Sequence, residues 1–264
     1  MTVLQAFILG LVQGLTEFLP VSSSGHLVLF QNIFGLSEGT LFFDTMVHVG
    51  TLAAVIIVYW QDVLAILRRP FSPTTWKLLL ALVPTILVGL FLKDFVESAF
   101  SGRLLGFCFL ITAAALFISE RVGEGRKRGL KSVTYPDAAM IGIAQSIAIL
   151  PGISRSGSTI AMGLGMGLHR STAAKFSFLL SIPTILGSLV LEVKDVAEAG
   201  FSGIGADILP IIVGTVAAAV SGYFAIRLLL AVLKKGRLKW FALYVGVLGL
   251  FVILDQFLLH VVFK

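Results

Sequence analysis

Two of the apolar runs in this chain are too short to cross a bilayer, and that mismatch limits the fold more than any other feature. Apolar runs lie at about 2–19, 26–35, 41–60, 77–93, 104–119, 137–150, 159–168, 171–191, 208–233 and 240–260. A helix needs about 20 residues to cross the hydrocarbon core. Runs 26–35 and 159–168 fall well short, and each follows a Pro/Ser/Gly interruption after another apolar run. Non-helical backbone at membrane depth is tolerated only where protein or water covers it. Segments 2–35 and 137–168 therefore read as re-entrant helix–loop–helix hairpins, and the other six runs as spans. The expected fold is an all-α polytopic membrane protein, a single integral domain over 1–264.

Composition agrees with that reading. Hydrophobic residues make up 57% of the chain and charged residues 13%, against roughly 25% charged in a soluble globular domain. The mean hydropathy is +1.00. The formal net charge of +6 does not imply nucleic acid, because the basic residues gather in short loops, as the positive-inside rule expects. Cys108, the lone cysteine, lies in an apolar run, so neither a disulfide nor a thiolate metal site is expected. The first residues lack a basic start followed by a cleavage site, so no removable signal peptide is read.

The halves resemble each other when shifted by half the chain length. Gly10 then falls on Gly142, Gln13 on Gln145, Ser22 on Ser154, Ser24 on Ser156, Gly25 on Gly157, and Gly35 and Leu36 on Gly167 and Leu168. Pro20 and Pro151 match with a one-residue slip. The matches concentrate at the helix breaks, which marks an internal repeat. One repeat covers about 1–119 and the other about 137–264, with a loop at 120–136.

Loop charges set the expected orientation. Arg68 and Arg69, then Arg121, Arg126, Lys127, Arg128 and Lys131, then Lys234, Lys235, Arg237 and Lys239 mark three cytoplasmic connections. Glu192, Asp195, Glu198 and Asp207 mark an outer one. This is consistent if each hairpin returns to its own side, the first from outside and the second from the cytoplasm, with both termini extracytoplasmic. Three spans per half invert the second repeat, so both tips meet near the midplane.

The tips carry polar chemistry. Within Gln13 through His26, the part from Glu17 on places a carboxylate, three hydroxyls, a glycine and a histidine in lipid-compatible sequence, and Leu150 through Thr159 adds Arg155. Such groups at membrane depth mark a functional site by default. Half-helices beginning near Gly25 and Gly157 aim their N-termini at the tips, where N–H groups and the helix dipole attract anions. The glycines allow close approach of a bulky anion. Arg155 supplies a fork suited to phosphate. Glu17 is suited either to hold a divalent cation shared with substrate phosphates or to act as a general base. Gln13 lies one turn before it on the same face. His26 is the natural proton carrier, and Ser23 a nucleophile or phosphate ligand.

Structural readings stand beside these. Ser22 and Ser24 also suit helix caps. As lesser alternatives, His26 can hydrogen-bond a carbonyl and Arg155 can pair with Glu17 as a buried bridge fixing the hairpins. Asp44 and His48, four apart on one helix face, read either as lining the approach to the site or as meeting water or a partner near the outer end of their helix.

At the two tips the chain resembles the bacterial undecaprenyl-diphosphatase family, associated with bacitracin resistance. Its segment ending Glu-Phe-Leu-Pro-Val-Ser-Ser-x-Gly-His stands here within Gln13 through His26, and its Pro-Gly-x-Ser-Arg-Ser-x-x-Thr as Pro151 through Thr159. The likeness runs over nearly the whole chain. The resemblance implies an inner-membrane hydrolase that removes one phosphate from undecaprenyl diphosphate, with the site open to the extracytoplasmic side. It also implies a divalent cation, Mg²⁺ or Ca²⁺, and a homodimer. Carried over by position, Glu17, Ser23, His26 and Arg155 are essential, with Glu17 the metal ligand. Ser22, Ser24, Ser154, Ser156 and Thr159 support them, with Gln13, Gly25 and Gly157 at the substrate. The competing reading is a transporter or flippase for a polyprenyl phosphate lipid, since inverted repeats with broken helices also build transporters.

Overall fold

In the computed structural model of the protein, the backbone is described for residues 1–36, 41–123, 125, 128–198 and 208–263, and side chains there except at 41, 93, 97, 192 and 194–198. Arg126, Lys127 and Asp207, used above for orientation, lie outside the described residues, as do the side chains of Glu192, Asp195 and Glu198.

The first hairpin is α1 (Val3–Phe18) and α2 (Ser23–Ile33), and the second is α8 (Tyr135–Ile147) and α9 (Arg155–Gly165). Each α2/α9 helix starts about two residues before the expected glycine, because a serine caps it: Ser22 Oγ accepts from Gly25 N–H, and Ser154 Oγ from Gly157 N–H. Between the hairpins run α3 (Leu41–Val58), α4 (Trp60–Arg68), α5 (Pro73–Phe91), α6 (Lys93–Ala99) and α7 (Leu105–Val122). After them come α10 (Arg170–Glu198), α11 (Ile208–Lys234) and α12 (Lys239–Leu254). No strand forms among the described residues. Helices α5, α7, α10, α11 and α12 are long and apolar enough to span. The remaining expected span, 41–60, is formed by α3, and at its end the chain bends by 84° into α4. At that bend the sequence turns from apolar to Gln61 and Asp62, and Asp62 pairs with Lys175 of α10 at 2.7 Å. The short α4 leaves the axis of α3 as an amphipathic helix does at an interface.

Each hairpin begins and ends on one side. Arg128 joins both ends of the second: it donates to Asp137 Oδ2 in the first turn of α8 at 2.6 Å and to the carbonyl of Met166, just after α9, at 2.7 Å. Burial would raise the Asp137 pKa, but bonds from Arg128 and from Thr134 hold its carboxyl below the usual carboxylate range. In the first hairpin, Ala6 near the start of α1 shares an apolar cluster with Phe30 and Phe34 at the end of α2.

The three basic connections meet at one end of the bundle. Lys77 Nζ lies 5.5 Å over the Tyr135 ring, joining the start of α5 to the start of α8. Glu120 Oε2 accepts from Leu238 N–H at 2.6 Å, joining the end of α7 to the start of α12.

The halves exchange helices. In one, α1 packs chiefly on α11; in the other, α8 packs on α5, while α3 faces α10 and α7 faces α12 across the middle. The contacts need glycine at the same shifted position. A Cβ on Gly10 would strike the carbonyl of Gly214, and one on Gly142 the carbonyl of Ala81. Small residues letting backbones approach is the usual basis of helix packing in lipid, where no hydrophobic drive brings helices together.

Candidate active site

The hairpin tips interlock. Gly152 N–H of the second tip donates to Ser22 Oγ of the first at 3.1 Å, and Ser156 Oγ donates to the carbonyl of Leu19 at 2.9 Å. Gly25 lies so close to Gly152 that a Cβ there would come within 2.9 Å of its Cα. Gly152 has φ +94, beside Cys108 and Leu105, a conformation and a space open only to glycine. From α7, Thr112 clamps this tip, donating to the Gly152 carbonyl at 2.9 Å and accepting from Ser154 N–H at 3.0 Å. In the first tip Ser22, with φ +70, is left-handed without being glycine. Strain of this kind persists only where surrounding contacts over-determine it.

Glu17 is the hub. Arg155 Nη2 donates to its Oε1 at 2.7 Å, and the two side chains are 14% and 7% exposed. Ser23 Oγ donates to its Oε2 at 2.5 Å, and Gln13 Nε2 to the same oxygen at 3.0 Å. His48 of α3 brings Nε2 to 4.0 Å from Oε2, with its side chain 24% exposed. The reading that placed His48 toward water or a partner thus gives way to its alternative: it lies at the site. Sequence spacing showed which face His48 shares with Asp44, but not that α3 turns that face to α1.

Of the two readings of His26, the structure shows the one in which it hydrogen-bonds a carbonyl. Its Nδ1 meets the carbonyl of Ser22 at 2.7 Å, and a carbonyl only accepts, so Nδ1 carries the proton. Nε2, 2.8 Å from the Tyr244 hydroxyl of α12, accepts from it. The ring stacks on Tyr244 and meets the edge of Phe109. Arg155 and Glu17 come together, while His26 spends both ring nitrogens on its own turn and on α12. Nothing in the sequence near Tyr244 signals this partner, because it lies more than 200 residues away on an ordinary span.

The supporting residues divide by task. Ser22 and Ser154 cap helices, and their hydroxyls lie 3.4 and 3.2 Å from those of Ser24 and Ser156. Thr159 Oγ1 donates to backbone carbonyls of its own helix and lies 2.6 Å from Ser177 Oγ of α10. It therefore anchors α9 rather than facing the Glu17 cluster. The Ser177 carbonyl in turn accepts from Arg155 Nη1 at 3.4 Å. The caps serve Gly25 and Gly157. The N–H groups of Ser23, Ser24, Arg155 and Ser156 find no acceptor among the described residues. Two helix ends thus present orphan donors beside an arginine, an arrangement whose chemistry suits an anion.

The residues suit a hard divalent cation. Gln13 Oε1 is buried with no hydrogen-bond partner, one turn from the Glu17 carboxylate. No group of three His, Cys, Asp or Glu side chains gathers among the described residues. A cation here would draw its remaining oxygens from a substrate, as magnesium commonly does.

The family described as "Bacitracin resistance protein BacA" matches residues 6–251. The chain belongs to the BacA family. Its relatives include an "Undecaprenyl-diphosphatase" of Carboxydothermus hydrogenoformans, 52% identical over 253 residues, covering 96% of this chain and 97% of the relative. One of Halothermothrix orenii is 42% identical, covering 96% and 98%. One of Methanosphaera stadtmanae is 38% identical, covering 96% and 97%. In this BacA-family member, both recognised motifs lie at the interlocked tips.

Proposed function

We propose that this protein hydrolyses undecaprenyl diphosphate to undecaprenyl phosphate and inorganic phosphate, recycling a lipid carrier of envelope synthesis and conferring bacitracin resistance. One observation carries the reading: the Glu17 carboxylate, with a serine hydroxyl on one oxygen and an arginine on the other, sits between two helix N-termini. The relatives carry an enzyme's name, and the transporter reading gains nothing from them.

The diphosphate head enters between the tips while its tail stays in lipid. Arg155 and the orphan N–H groups of Ser23, Ser24, Arg155 and Ser156 bind phosphate oxygens and offset charge developing in the transition state. Ser23 Oγ attacks the terminal phosphorus and Glu17 takes its proton. The anhydride P–O bond breaks, and the lipid monophosphate leaves with the bond electrons. Water then hydrolyses the phosphoserine. His26 holds the Ser22 carbonyl and so fixes the strained turn that presents Ser23. Glu17 and Gln13 would hold a divalent cation, Mg²⁺ or Ca²⁺, which would supply further neutralisation of the phosphates. We further place the chain in the bacterial inner membrane with its basic end cytoplasmic, by the positive-inside rule, and its site open to the other side.

The test is phosphate release from undecaprenyl diphosphate by purified protein in detergent micelles. Wild type releases one phosphate per lipid, and chelation of divalent cations stops it. Glu17→Gln lowers turnover by about 10²–10⁴-fold, the range for losing a general base. Acid quenching with substrate labelled on the terminal phosphate leaves label on Ser23. Undiminished turnover in Ser23→Ala overturns the serine mechanism, and no release by wild type overturns the reading itself.

A further inference from the structure

A groove of about 610 Å³ opens between α7 and α12, away from the hairpin tips. Ala113, Ala114, Ala242 and Gly246 are among its apolar lining, with Phe117 and Trp240 toward one end. That end is basic. Lys239 lines the groove, its Nζ 5.8 Å over the Trp240 ring, and Arg121 lies one turn beyond Phe117 with its guanidinium 4.6 Å over that ring. Glu120, next to Arg121 in the chain, accepts the N–H of Leu238, next to Lys239, so one hydrogen bond ties together the two helix ends that carry these basic residues.

Length decides the occupant. From Lys239 to Leu250 the groove follows α12 for about 16 Å at 1.5 Å per residue. That is roughly half of a ~30 Å hydrocarbon core, the depth of one leaflet. An acyl chain of one leaflet fits it; a long polyprenyl chain overruns it. The aromatic rings sit at the basic end, where Trp belongs at a membrane interface, and basic pockets between spanning helices suit anionic lipid heads.

We propose that this groove binds one anionic phospholipid, its acyl chain along α7 and α12 and its phosphate between Arg121 and Lys239. The site is independent of the hydrolase reading.

Native mass spectrometry of the purified full chain, titrated with phosphatidylglycerol or phosphatidylcholine of matched chains, tests it. Wild type retains one phosphatidylglycerol in preference to phosphatidylcholine. The double variant Arg121→Gln/Lys239→Gln binds phosphatidylglycerol roughly 30-fold more weakly, as expected for losing two basic contacts near the surface. Lys234→Gln/Lys235→Gln, on the same basic face outside the groove, retains it. Gly246→Leu, whose Cβ meets Ala113 in ordinary contact at 3.5 Å, fills the groove and blocks both lipids. Equal retention of the two lipids by wild type overturns the proposal. So does an equal loss in the Lys234/Lys235 variant, which assigns the effect to the diffuse basic face. Displacement of phosphatidylglycerol by equimolar undecaprenyl phosphate gives the groove to a polyprenyl lipid. A Gly246→Leu protein that turns from dimer to monomer with lipid retention intact gives it to a second copy; either result overturns the assignment.

Discussion

The two hairpins share a frame and differ in chemistry. Positions that repeat between them do structural work. Ser22 and Ser154 cap, Gly25 and Gly157 donate to those caps, and Gly10 and Gly142 admit a neighbouring backbone. Positions that differ bring the charged and nucleophilic side chains of the proposed site. Under the same shift Glu17 aligns with Ile149, Ser23 with Arg155 and His26 with Ser158. One hairpin thus brings the acid and hydroxyl and the other the guanidinium, and the cluster forms only where they meet. The matched glutamines show the divergence at a single residue. Gln145 is satisfied at both ends, donating to Thr85 Oγ1 at 3.1 Å and accepting from Thr184 Oγ1 at 3.4 Å. Gln13 turns its amide to Glu17 and leaves its oxygen without a partner. Satisfied polar groups hold structure, and a buried unsatisfied one calls for a functional explanation.

The sharpest way to break this comparison is at the pair that joins the halves. Arg155→Ala or Glu17→Ala abolishes phosphate release. Each also lowers stability by about 3–5 kcal/mol, because the partner is left as an uncompensated buried charge. The double variant Glu17→Met/Arg155→Met regains most of that stability with no activity, since a well-packed apolar pair replaces buried ions at little cost. Thermal unfolding beside turnover measures both. Recovery of activity in the double variant would mean that the site lies elsewhere.

A smaller effect tests the shared frame. Gly10→Val and Gly142→Val each push a helix off an opposing carbonyl and cost about 1–3 kcal/mol, as overpacking does. The two values agree within error if the exchanged packing is equivalent in both halves. Unfolding midpoints differing widely between the variants would show that one half alone bears the packing.

The smallest separates the caps. Ser154→Ala loses one cap, worth about 1 kcal/mol. Ser22→Ala loses a cap and also leaves the buried Gly152 N–H unpaired, adding about 1–3 kcal/mol. Circular dichroism melts rank Ser22→Ala below Ser154→Ala; the reverse order would remove the tip-to-tip bond from the account.

Much of the frame was legible because membrane physics is severe. Short apolar runs after Pro20 and Pro151 had to be hairpins, since a half-length helix cannot span and its backbone must be covered. The expected span at 41–60 stands as α3, but the 84° bend into α4 at its end was not legible, because length and hydropathy do not say which way the chain turns once the apolar run stops. Arg155, Glu17 and Ser23 were legible because polar groups at depth are costly enough to need a reason. His48 and Tyr244 were not, since their roles depend on which way α3 and α12 face.

By itself the sequence determined the all-α membrane architecture, two broken hairpins and the residue types at their tips, because burial in lipid leaves few alternatives for backbone and charge. Tertiary structure alone decided which histidine stands beside Glu17 and which braces the Ser22 turn. Helix rotation and distant contacts set that choice, and neither leaves a periodic trace along the chain.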